Sequence, residues 1–111
     1  VEYDGTNLYF TPVASRKIVT YRKNVTTVTG SVTASVDSLL AASGSFTITL
    51  PNPSTVGNGA EITVKKTSTG LSTVTISASA GTIDGATTTT LTTQYSSYTF
   101  ISDGSTNWWI I

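Results

Sequence analysis

The chain contains no cysteine and no histidine. The first absence excludes disulfides and thiolate metal sites and leaves the redox compartment unspecified. The second removes the commonest general base and metal ligand, so neither a Ser-His-Asp nor a Cys-His nucleophile can be assembled within the chain. Charge is scarce as well: charged residues make up 11% of 111 positions and six bases cancel six acids, against roughly 25% in ordinary soluble domains. Bulk electrostatics therefore gives no drive toward nucleic acid or an anionic membrane. No apolar run approaches the roughly 20 residues of a membrane span, and no signal-peptide core is seen. Methionine is also missing and Val1 comes first, which points to a processed or excised piece of a longer chain.

What is present in quantity is hydroxyl. Thr and Ser supply roughly a third of the residues, and Thr, β-branched with a polar tip, suits the wet face of a pleated sheet. The length suffices for one core and not for two. Apolar residues recur with period two almost throughout. Phe46, Ile48 and Leu50 alternate with Thr47 and Thr49 until Pro51-Asn52-Pro53 stops the strand, because proline cannot donate to a ladder. Ile62 and Val64 follow the Gly57-Asn58-Gly59 turn, and Leu71, Val74 and Ile76 follow Ser68-Thr69-Gly70, which predicts a second hairpin. Thr82-Ile83-Asp84-Gly85 reads as a short strand into a turn, Thr88 to Thr92 places Leu91 inward, and Tyr98 to Ile101 leads to a last hairpin around Asp103-Gly104.

Earlier in the chain, Leu8 to Phe10, Lys17 to Tyr21 and Val25 to Val32 are β-biased. Val36 to Ala42 admits a two-turn helix capped by Asp37, but a strand turning at Ser43-Gly44 fits the β-rich surroundings better. The expected fold is all-β, an antiparallel sandwich or barrel of the jelly-roll kind. Residues 1–12 are expected to be a linker or the end of a preceding segment, with 13–111 the single domain. Asp4-Gly5-Thr6-Asn7-Leu8-Tyr9-Phe10 echoes the Asp103 to Trp109 segment, which either an internal repeat or shared turn chemistry explains.

The carboxylates are Glu2, Asp4, Asp37, Glu61, Asp84 and Asp103, and three of the six precede glycine. In such turns Asp has a sufficient local role, so Asp84, Gly85, Asp103 and Gly104 are read as structural turns and not as the facing pair a glycosidase needs. Asp103 and Asn107 offer hard oxygen, but without EF-hand spacing two side chains are too few for calcium. No catalytic, cofactor or metal site is expected. The basic doublets Arg16-Lys17, Arg22-Lys23 and Lys65-Lys66 read as solvated strand ends, since adjacent strand residues face opposite ways; the alternative is a phosphate or sialic acid site built from such pairs across subunits. Asn24-Val25-Thr26 matches a glycosylation sequon, a weak signal in a Thr-rich chain.

Among the aromatics, Tyr95 in the polar loop Thr92-Thr93-Gln94-Tyr95-Ser96-Ser97 is the candidate for an exposed ligand contact. The chain ends on Trp108-Trp109-Ile110-Ile111. On a strand Trp108 and Ile110 share one face and Trp109 and Ile111 the other. Two apolar faces need two partners. The domain's own core is expected to take Trp108 with Ile110, and a neighbouring subunit Trp109 with Ile111.

The order of these motifs, Phe46 to Pro51, Gly59 to Lys66, Thr73 to Ile76, Thr82 to Gly85, Leu91 to Tyr95 and Ser102 to Ile111, resembles the terminal β-domain of bacteriophage tail-fibre, head-fibre and capsid-decoration proteins. The resemblance covers roughly the last 70 residues, more weakly back to Thr33, and leaves the first 30 outside. It implies a trimeric virion protein, with partners among other virion proteins and a host surface glycan or protein, and with no catalytic residue to carry over. A fibre or receptor-binding tip is the favoured role. A capsid decoration protein is the alternative, and a carbohydrate-binding module of a secreted protein lies further off. If the Asp-Gly sites are turns only, Asp84→Asn and Asp103→Asn leave any polysaccharide-degrading activity of the parent particle unchanged in a turbidity or reducing-end assay, because Asn tolerates the same turns.

Overall fold

The computed structural model describes residues 23–111. Leu8 to Phe10, Lys17 to Tyr21, the boundary near Pro12 and the first half of the echo lie outside them. The period-two segments form ten strands: β1 (Asn24–Val28), β2 (Val32–Thr33), β3 (Ser38–Ala42), β4 (Phe46–Leu50), β5 (Asn58–Lys66), β6 (Val74–Ala78), β7 (Thr82–Ile83), β8 (Thr88–Leu91), β9 (Ser97–Asp103) and β10 (Asn107–Ile110). One short helix, α1 (Pro53–Val56), follows β4 where the sequence shows only a stop. Asn52 caps it by accepting from the Ser54 N–H at 3.0 Å, and proline opens the helix at a position where its missing N–H is not needed. Val36 to Ala42 resolves into strand β3, with no helix.

The strands form a six-stranded sheet, β1-β3-β5-β9-β10-β7, and a four-stranded sheet, β2-β4-β6-β8. Both are mixed rather than antiparallel. β1, β3 and β5 pair in parallel, as do β2, β4 and β6, because the chain steps from one sheet to the other at each corner instead of reversing within a sheet. Thus β5 and β6 are not the hairpin their sequence suggests. Alternation says which side chains face inward, and a hairpin and a sheet-crossing coil satisfy it equally. The hairpin around Asp103-Gly104 does form, as β9–β10, and with β8 on β6 it closes the coil by antiparallel pairing.

The corners are stacked like the strands. Ser43 N–H donates to Val28 O at 2.9 Å and Thr67 N–H to Ala42 O at 2.8 Å, so the ladder continues past the strand ends and leaves these groups paired. Serine hydroxyls add a rung at each corner: Ser31 Oγ accepts from Thr47 N–H at 3.2 Å and Ser45 Oγ from Thr73 N–H at 3.0 Å.

The core lies between the sheets. Leu40, Ala42, Ile62, Val64, Phe100 and Trp108 point inward from one, and Ile48, Leu50, Val74, Ile76 and Leu91 from the other. Tyr98 and Phe100 meet edge to face at 5.9 Å, a favoured aromatic geometry. The outer face of the four-stranded sheet is hydroxylated: the register aligns Thr33, Thr49, Ser77 and Thr88 in one row and Thr47, Thr75 and Thr90 in the next. The closing end relies on a close approach at Gly81, where φ is +75° and an added Cβ would sit 1.8 Å from Thr106 O.

Trp108 is the largest fully buried side chain, and its indole N–H donates to Pro51 O at 3.0 Å, which satisfies its one polar group. Trp108→Ala opens a cavity and strands that carbonyl, so unfolding stability falls by about 3 to 5 kcal/mol, measured by thermal or chemical melts.

Candidate functional site

β10 fixes the terminal residues. Trp108 pairs with Ser102 and Ile110 with Phe100, whose side chains are inward, whereas Trp109 pairs with Ile101 on the outer face. Trp109 is 46% exposed and Ile111 71% exposed, while Trp108 is buried and Ile110 half-buried. On this outer face of the six-stranded sheet the register places Val25, Leu39, Thr63 and Thr99 in one row, next to the Ile101–Trp109 pair. Val25 is 72% exposed. The result is two groups of exposed or half-buried apolar side chains, Val25 with Leu39 and Ile101 with Trp109 and Ile111, separated by Thr63, Thr99 and Glu61.

One ion pair lies across this face. Lys23 Nζ donates to Thr63 Oγ1 at 2.8 Å and stands 3.4 Å from Glu61 Oε2, while Thr63 and Thr99 share a hydroxyl hydrogen bond of 3.1 Å. Both charges are partly exposed, so the pair adds little stability; its effect is to bury Thr63. Neither the pair nor the shielding of Thr63 is legible from the Arg22-Lys23 doublet, since they depend on β1 and β5 sharing a sheet.

The two Asp-Gly sites are built as turns. Asp103 Oδ1 accepts from Ser105 N–H at 2.8 Å and from Thr106 and Asn107 N–H at 3.1 Å each, and its Oδ2 accepts from the Asn107 side-chain amide at 3.1 Å. Gly104 follows at φ +78°, where an added Cβ would come within 2.7 Å of Asn58 N. Asp84 sits at φ +47° and Gly85 at φ +86°, and Asp84 Oδ1 accepts from Ile110 N–H at 3.1 Å. These carboxylates are committed to backbone donors. Among the described residues no three of Asp and Glu converge as a metal site.

Tyr95 is 63% exposed and sits at φ +66°. Beside it the Lys65-Lys66 doublet departs from its reading as solvated strand ends. Lys66 is fully buried, with Nζ donating to Ser68 O at 2.6 Å. The alternation Ile62, Val64, Lys66 carries that signal, because it sets Lys66 on the inward face. A cavity of about 170 Å³ lies between β1 and β2, lined by Thr26, Val28, Val32 and Leu40 among others. Arg16, Lys17, Tyr3, Tyr9, Tyr21, Glu2 and Asp4 lie outside the described residues.

Comparison of the sequence with protein-family models and with curated proteins finds no match.

The Asn107 backbone N–H, with those of Ser105 and Thr106 and the Asn107 side-chain amide, holds the Asp103 carboxyl below the usual aspartate range. A lowered folded pKa contributes stability above the unfolded value, lost as pH falls through the folded one. Melting temperature therefore declines on acidification through and below the ordinary aspartate range. Asp103→Asn keeps a turn-forming amide and flattens that decline, as a pH series of melts will show.

Proposed function

We propose that the chain is a non-enzymatic structural module of a virion, the receptor-binding end of a fibre, and that it works as a homotrimer. The observation that carries this reading is the set of exposed or half-buried apolar side chains on the outer face of the six-stranded sheet. Val25, Leu39, Ile101, Trp109 and Ile111 lie on it, and a domain standing alone gains nothing from a tryptophan and an isoleucine held in water at the end of its last strand. The opposite sheet presents hydroxyls only. This difference between the two faces suits an assembly in which one side packs against neighbouring copies and the other remains wet.

Three further features support the reading. Near-zero net charge favours association. The carboxylates of both described Asp-Gly turns accept from backbone donors, Asp103 within its own turn and Asp84 from Ile110 N–H, as turn residues do. The motif order resembles terminal domains of phage fibres, which carry host attachment by non-covalent contact.

The test is sedimentation of the purified domain at micromolar concentration, with Trp109→Ala beside the parent. The parent runs as a trimer. The variant, whose truncation removes the exposed tryptophan of the face, weakens association by roughly 2 kcal/mol or more and keeps its fold by circular dichroism. A parent that stays monomeric overturns the assembled reading.

A further inference from the structure

The corner of the coil where β5 leaves its sheet has a composition that folding does not account for. Tyr95 lies there at φ +66°, in the left-handed region that is an outlier for a bulky side chain. Among the described residues the other non-glycine positions at positive φ are Asp37 and Asp84, and Asp is among the few types that tolerate it. Tyr95 gains no burial in return, since most of its surface is in water. Its conformation is imposed by neighbours: its N–H donates to Lys66 O at 2.7 Å and Lys66 N–H to Ser96 O at 3.0 Å. Its carbonyl accepts from Lys65 Nζ at 2.9 Å, and Gln94 Nε2 ties the loop to Thr67 O at 3.2 Å. Gly or Asn would meet every one of these backbone demands without the strain. The backbone at this position does not require the ring.

The same corner is cationic. The turns at 43–45, 67–73 and 92–96 hold no acidic residue, and they are hydrogen-bonded into one surface through Gly44 N–H to Ser68 Oγ, Ser68 Oγ to Ser72 Oγ, and Gln94 to Thr67. Lys65 and Lys66 both belong to this corner. Among the described residues the recorded ion pair is Lys23–Glu61, so neither lysine is matched by a carboxylate there. The described acids lie elsewhere: Asp37 donates its N–H to Glu61 O, Asp103 stands opposite Asn58 at the other end of β5, and Asp84 bonds to the Ile110 backbone. Lys66 is enclosed, with its Nζ on the Ser68 carbonyl, so Lys65 is the partly exposed lysine of this corner. Lys65 spends one of its three N–H donors on the Tyr95 carbonyl.

An exposed aromatic ring and, among the described residues, a lysine without a carboxylate partner suit an acidic sugar: the ring stacks on the apolar face of a pyranose, and the ammonium meets its anion. We propose that this corner binds an acidic saccharide, with Tyr95 stacking on the sugar ring and Lys65 receiving its carboxylate or phosphate. The proposal rests on the fibre-end reading above and specifies where, and to what chemistry, that end attaches.

The test is binding of the full chain to immobilised sialylated, uronate-containing and phosphorylated oligosaccharides, with an uncharged glucan of equal length as control. Retention on at least one acidic probe exceeds that on the glucan by about tenfold. The carboxylate and phosphate arms then separate the two anion sources. Tyr95→Gly relieves the backbone, so its melting temperature is equal or higher, yet its binding falls about tenfold or more, the loss of one aromatic stacking contact. Lys65→Gln weakens binding and flattens its dependence on salt. Equal retention on all probes, or Tyr95→Gly binding as the parent does, overturns the proposal. Sedimentation of the same samples keeps the two readings apart: a trimer that ignores acidic sugars refutes the binding site alone, and a monomer that binds them refutes the assembly alone.

Discussion

The double pairing of β5 is the constraint on which most of the described fold depends. One of its edges holds β3 in parallel, the other holds β9 in antiparallel, so this strand converts a coil that crosses between sheets into an end that closes on itself. Its register on each side must be right, because a slip of one residue would send Ile62 and Val64 to the outer face and bring Glu61 and Thr63 into the core. A shift in the pairing between Asn58 and Glu61 absorbs the mismatch between the two edges. That irregularity brings Asn58 against the β9–β10 turn so closely that only glycine fits at Gly104.

Closure then depends on a few residues with no substitute nearby. Trp108 fills the core between the sheets and binds the Pro51 carbonyl. Ser102, buried beside it, donates to Pro53 O at 3.2 Å and accepts from Gly104 N–H at 2.9 Å, which links the helix, the last turn and the core in one chain of hydrogen bonds. Buried polar groups of this kind stabilise only when every partner is present. The Asp103 carboxylate organises the turn from outside, and Ser102 and Trp108 hold it from within.

Much of this was legible in the residues. The alternation of Phe46, Ile48 and Leu50, of Ile62 and Val64, and of Val74 and Ile76 marks the strands and their inward faces, and Asp103-Gly104 marks the final hairpin. The opposed placement of Trp108 and Trp109 follows from adjacency on a strand. What alternation does not carry is which sheet a strand joins, and so the parallel coil was read as hairpins. A signal for it exists: Thr29-Gly30-Ser31-Val32-Thr33 and Ser43-Gly44-Ser45-Phe46-Thr47 repeat the same corner fourteen residues apart, the same offset as the pairing of Asn24 with Ser38. It is hidden because the next corner, Ser68 to Thr73, is longer and keeps only the glycine in recognisable form. Within the candidate site, Tyr95 was visible as an aromatic in a polar loop. Its left-handed backbone and the enclosure of Lys66 beside it arise from contacts between β5 and a loop about thirty residues further along, which no local pattern records.

The hydroxyl rows on the four-stranded sheet give the molecule an unusual relation to its medium. A surface of carboxylates and ammonium groups changes its hydration and its mutual repulsion whenever acidity or ionic strength changes. Thr33, Thr49, Ser77 and Thr88, with Thr47, Thr75 and Thr90, carry no group that titrates in water and no charge for salt to screen. Water held along these rows is held the same way in dilute and in concentrated media, in acid and in base. Such a face keeps its own charge unchanged across those conditions.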